Sequence, residues 1–163
     1  MKEYNEYYQR NKQLDKMYEE RYANIDSRYY EKNCLELIVE LCEFANESKC
    51  FKYWSIKEPD RNLLLEEYAD CLSMLLCIFN YYNIKEVNVI DIDLSDNIIE
   101  LFNEIIRMCT MLMNKDNVNE RLLKEIFTYL IHIGRLVELS DREILDSCYI
   151  KLGKNIERLN SDY

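Results

Sequence analysis

Apolar residues recur at spacings of three and four along most of this chain, the period of amphipathic helices. The pattern predicts six helical segments, at roughly 3–21, 30–48, 61–82, 95–113, 118–137 and 141–159. The first is rich in Tyr and charge; the second carries LELIVELCEFANE. Residues 49–60 are irregular, hold the lone Trp and end in Glu58-Pro59-Asp60. Pro59 disfavours helix at Glu58, and Asp60 is placed to cap the third helix. Residues 83–93 (NIKEVNVIDID) form a connection with some extended propensity. Asn117 with Glu120, and Ser140 with Glu143, read as capping boxes for the last two helices. The predicted fold class is all-α, a helical bundle of about six helices.

Composition supports this and narrows the function. Gly occurs twice and Pro once, too few for the turns of an all-β fold. The 163 residues suffice for one domain, 1–163, with a real core. With 21 basic and 31 acidic residues the net charge is -10, which repels a phosphate backbone and argues against nucleic-acid binding. A polyphosphate is tolerated only where cations reverse the local field. Seven Cys is an odd number, with no CxxC pair, and Cys34, Cys42, Cys71, Cys77 and Cys109 fall in apolar stretches. Reduced thiols in a cytoplasmic protein fit this better than a disulfide framework. MKEYNEYYQRNK lacks the apolar run of a signal peptide, and no window reaches the ~20 apolar residues of a membrane span.

The acidic residues carry the candidate chemistry. On the second helix Glu36, Glu40, Glu43 and Glu47 fall within roughly 60° of arc, beside Leu37, Leu41 and Phe44. Alone, that is a solvated acidic face. On the third helix Glu67 and Asp70 lie among Leu63, Leu64, Cys71, Met74 and Ile78. A carboxylate on an apolar face must be paired, protonated or metal-bound, and that face offers no basic partner. Two acidic pairs at i,i+3 on consecutive helices suit an all-oxygen site for Mg²⁺, with Mn²⁺ as an alternative.

These residues and their surroundings resemble a known family. Glu40-Leu-Cys-Glu43 and Glu67-Tyr-Ala-Asp70 match the ExxE and ExxD pairs of the all-α NTP pyrophosphatase superfamily. ELCEFANESKCFKYWSIK and LLLEEYADCLSMLL are similar to the helix–loop–helix of its dimeric all-α dUTP diphosphatases, including the FKxWSxK loop. YIKLGKNIERLNSDY is similar to a second family block whose Lys, Asn and Arg contact substrate phosphates. The match is strong over 31–78 and 147–163 and weak over 83–140; in the first helix only QLD at 13–15 is familiar. The resemblance implies a four-helix catalytic core and a homodimer. It also implies Mg²⁺-dependent hydrolysis of dUTP, and often dUDP, to dUMP, with pyrophosphate released from dUTP. Glu40, Glu43, Glu67 and Asp70 would hold the metal, and Glu40 or Glu43 would take a proton from the attacking water.

Other contacts follow from the same resemblance. Lys151, Asn155 and Arg158 share a face of the last helix within roughly 60° and match the phosphate-binding positions; the competing reading is a basic last turn serving the helix dipole. Trp54 either shapes the base pocket or plugs its loop onto the core. Lys57 matches the end of the FKxWSxK loop, and Asn46 matches a position near the nucleotide. Relatives commonly read DxLHF after the ExxD Asp, whose His helps recognise uracil. Here the stretch is Asp70-Cys71-Leu72-Ser73-Met74, and Ser73 is shorter than His. Two alternatives therefore stand beside a dUTP diphosphatase: a pyrophosphatase for another dNTP such as dCTP, and a catalytically weak protein that binds a regulatory partner. His132, in TYLIHIGRL, reads as a satisfied histidine at the edge of the core.

Overall fold

The computed structural model of the chain describes residues 1–22 and 28–161. Asp162 and Tyr163, the end of the C-terminal block, lie outside the described residues. Among those described, six α-helices form and no strand: α1 (Lys2–Arg21), α2 (Tyr29–Ser48), α3 (Arg61–Tyr81), α4 (Ile98–Met111), α5 (Glu120–Leu136) and α6 (Asp141–Asn160). The all-α expectation holds. α3 is central and packs against α2, α6, α1 and α5; α1 also packs on α6, and α4 joins α2 to α5. One continuous core draws on all six helices, through residues such as Tyr8, Leu41, Leu72, Ile105, Ile126 and Cys148.

The tyrosines of α1 are core residues. Tyr4, Tyr7 and Tyr8 bury their rings and keep their hydroxyls paired, as burial of a phenol requires. Tyr4 donates to Asp141, Tyr8 donates to the Ile84 carbonyl, and the Tyr7 hydroxyl lies 2.7 Å from Ser73 Oγ. The histidine expectation also holds: His132 is partly buried, with Nε2 3.2 Å from the Ser95 carbonyl oxygen.

Two caps fix how α3 and α6 lie together. Asp60 accepts from the backbone N–H groups of Asn62 and Leu63, as its position before α3 predicts. Ser140 and Glu143 form the expected capping box at α6. Glu143 is also gripped by Arg61 from both Nε and Nη2 at 2.9 Å, the bidentate geometry that carboxylate and guanidinium favour. The start of α3 is thereby tied to the start of α6. Further along, Ser147 donates to the Leu65 carbonyl and Lys151 meets Asp70. The two helices run side by side in the same direction.

Three expectations change. α4 is shorter than 95–113, because Asn97 caps it by accepting from Ile99 and Glu100. Asn117 does not cap α5; it closes a short 3₁₀ turn, Lys115–Asn117, and Asn119 takes the cap by accepting from Leu122. Asn119 has the extended backbone that points its side chain back at the first turn. Residues 83–93 pair with side chains instead of a strand: Asn5 takes the Val87 N–H and donates to the Val87 carbonyl, and Thr128 accepts from Ile90. With so few glycines, Lys49, Asn83 and Glu138 adopt left-handed φ values of 58°, 54° and 61° just beyond helix ends.

Candidate active site

α2 ends at the left-handed turn of Lys49, and the Asp60 cap starts α3 so that it returns along α2. This brings the two acidic pairs to one place. Glu40, Glu67 and Asp70 each offer a carboxylate oxygen, and these oxygens lie within 4.8 Å of one another. Glu43 stands one turn further along α2, exposed at the rim. It is outside that trio yet near enough to act on it electrostatically, being the leading charge that raises Glu67.

Like charges this close resist ionisation. Partial burial, then Asp70, Glu43, Glu36 and Glu67, push the Glu40 carboxyl up to about 7. Partial burial, then Glu43 and Asp70, push Glu67 up to about 6. Asp70 is raised by burial, opposed by its hydrogen bond to Lys151. A basic partner does reach this face, contrary to the reading of α3 alone: Lys151 Nζ of α6 is 2.6 Å from Asp70 Oδ2.

Glu40 and Asp70 of the trio line a cavity of about 320 Å³ between α1, α2, α3 and α6. Its walls include Glu36, Glu40, Asp70, Ser73, Lys151, Asn155 and Arg158. The predicted α6 trio and Ser73 are thus brought together with two of the predicted carboxylates. Ser73 is engaged on both sides, its hydroxyl with Tyr7 and its carbonyl with Asn11 Nδ2 at 3.0 Å.

The other three candidates lie elsewhere. Asn46 is exposed and donates to Glu47. Trp54 is 65% exposed, so it does not plug its loop onto the core; its ring meets Tyr53 and Phe51 edge-on. Lys57 is exposed, its backbone N–H held by Ser55 Oγ.

Sequence reasoning missed the far wall. Asn11, Asp15, Tyr18, Asn33, Tyr29 and Cys77 line the same cavity. Asp15 is buried, accepts from Asn80 at 2.9 Å, and burial pushes its carboxyl up to about 6. The signal was available: Asn11 and Asp15 stand at i,i+4 beside Leu14 and below the buried tyrosines, two polar groups on an apolar face.

Oxygen donors at this charge density suit a hard divalent cation. Cys34, Cys71, Cys109 and Cys148 are buried in the core, Cys77 lies on the far wall of the cavity with Asp15, and His132 is committed elsewhere. Three converging carboxylates, two of them lining a polar cavity with Lys151, Asn155 and Arg158 on its wall, are groups that could hold a cation against an anionic ligand. The dUTPase family model matches residues 3–163. The chain belongs to the dUTPase family, and this membership supports dUTP diphosphatase activity. No curated protein is found to match it. No helix among the described residues is long and apolar enough to cross a membrane.

Proposed function

We propose that the protein hydrolyses dUTP, and also dUDP, to dUMP with Mg²⁺, releasing pyrophosphate from dUTP. The observation that carries this reading is the convergence of Glu40, Glu67 and Asp70 within 4.8 Å at a cavity walled by Lys151, Asn155 and Arg158. Bound Mg²⁺ would neutralise phosphate charge and acidify a water. Glu40, Glu67 and Asp70 supply the oxygens for it. Glu43, beside the trio and not part of it, is left to accept the proton of the attacking water. Lys151 and Arg158 supply charged donors for phosphate, and Asn155 a neutral one. Toward α1, Asn11, Asp15 and Asn33 offer donors and acceptors for a base edge, with Tyr18, Tyr29 and Met74 as flat or apolar surface.

One observation favours a second reading, in which the chemistry stays and the base changes. The Ser73 hydroxyl is tied to Tyr7, and the Asp15 carboxyl, at about 6, can accept from an exocyclic amine as well as from an imide N–H. dCTP is the natural competitor. A panel of dUTP, dUDP, dCTP, dTTP and UTP with Mg²⁺, analysed for pyrophosphate and monophosphate, decides between them. Equal rates across the panel would sink dUTP specificity. Glu67→Gln should abolish Mg²⁺ binding and turnover; retained activity would show the site to be wrong. A homodimer fits the exposed Leu35 and Val39, one turn apart on α2, and light scattering of the purified chain tests it.

A further inference from the structure

We propose that Lys151 competes with the divalent cation for Asp70 and exchanges that carboxylate for nucleotide phosphate, so that cation and nucleotide bind cooperatively. This rests on the cation site proposed above. The geometry that points to it is the 2.6 Å ion pair between Lys151 Nζ and Asp70 Oδ2, made by side chains only 18% and 13% exposed. Asp70 is also one of the three carboxylates whose oxygens converge. A dication taken up by either oxygen of Asp70 would stand within about 4–6 Å of this ammonium, and in a partly buried site that repulsion weakens cation binding. Release of Asp70 by Lys151 therefore favours the cation.

Its destination is set by the surrounding chemistry. Lys151 lines the same cavity as Asn155 and Arg158, so a displaced ammonium points at the wall where phosphate would lie. Without an anion there it would be a partly buried charge stripped of its partner, which is costly. The backbone does not need to move. Arg61–Glu143 and Ser147–Leu65 hold the register of α3 and α6, and the flexible four-carbon lysine stem makes the exchange alone. A cation by itself thus binds against the lysine. A nucleotide by itself meets uncompensated carboxylates. Together each removes the obstacle to the other, the condition for positive coupling.

The test is Mn²⁺ binding, read by the EPR signal of free Mn²⁺, with and without a non-hydrolysable dUTP analogue. Wild type, Lys151→Met, Asp70→Asn and the control Lys154→Met are compared; Lys154 pairs with Glu66 outside the cavity. Without nucleotide, Lys151→Met should bind Mn²⁺ about tenfold more tightly than wild type, and Lys154→Met should match wild type. Once the Mn²⁺ that the analogue chelates without protein is subtracted, the analogue should tighten Mn²⁺ binding in wild type and lose most of that effect in Lys151→Met. Equal or weaker Mn²⁺ binding by Lys151→Met, in a protein of unchanged circular dichroism, overturns the proposal. Mn²⁺ binding that Asp70→Asn leaves unaltered is a different failure, that of the cation site itself. Should Lys151→Met fold poorly, wild-type protein carrying ¹³C-methylated lysines gives the same answer, since methylation keeps the charge. The Lys151 methyl resonance, assigned with Lys151→Gln, should shift when Mg²⁺ and the analogue are added together. A resonance that stays in place overturns the exchange.

Discussion

Glu40 should be a residue whose removal strengthens the fold while destroying the site. Its carboxyl rises from an ordinary 4.5 to about 7 through burial and the neighbouring carboxylates. At about 1.36 kcal/mol for each pKa step of one, holding it ionised in the folded chain costs at most about 3.4 kcal/mol. The side chain is only partly buried, and solvent screening reduces that to roughly 1–2 kcal/mol. The sign follows from proton linkage. Between 4.5 and about 7 the folded protein binds more protons than the unfolded chain, so stability falls as pH rises. The penalty is absent at low pH, mostly gone near pH ~5, and complete above about 7. Glu40→Gln keeps the shape and removes the charge. In EDTA at pH ~8 it should raise Tm by roughly 3–6 °C, and by much less at pH ~5. Mg²⁺ should raise the Tm of wild type through binding to the folded state and leave Glu40→Gln unmoved. Differential scanning calorimetry across this pH range is the assay. An unchanged or lower Tm at the higher pH, or a gain of equal size at both, would refute the reasoning.

Four further substitutions probe the scaffold. Gly134→Ala improves helix propensity by about 1 kcal/mol, but its Cβ would stand 2.7 Å from Tyr68 Cε2. Tyr68 is fully buried and donates to the Leu130 carbonyl, so a net loss of about 1–3 kcal/mol is expected in urea unfolding. Glu138→Gly relieves the left-handed φ of 61° beyond α5 and should gain about 0.5–1 kcal/mol in the same assay, because Arg61 holds the backbone carbonyl there and not the side chain. Asn119→Ala should cost about 1 kcal/mol through the lost cap of α5, whereas Asn117→Ala should cost almost nothing; the reverse order would restore the capping box first read at Asn117.

Much of the architecture was legible because helices announce themselves locally. The 3.6 period marked six of them, Asp60 and Ser140 were caps by type and position, and Lys151, Asn155 and Arg158 shared a face by arithmetic alone. Where reading failed, a neighbour outside the local window made the choice. Asn119 displaced Asn117 because the chain between them extends. Residues 83–93 pair with Asn5 and Thr128, far away in sequence, and so form no strand.

The sequence by itself determined which residue types stand on which face of each helix, since that depends only on the helical period. It therefore placed Glu40 with Glu43, and Glu67 with Asp70. Only the tertiary structure decided which faces meet. The tie between Arg61 and Glu143 sets α6 beside α3 in one register, and that register delivers Lys151 to Asp70, a cation that α3 alone gave no reason to expect. The same packing leaves Glu43 at the rim and turns Asn11 and Asp15 of α1 into a wall of the cavity. Angular position is a local property of the chain; contact between helices depends on side chains meeting across more than eighty residues of sequence.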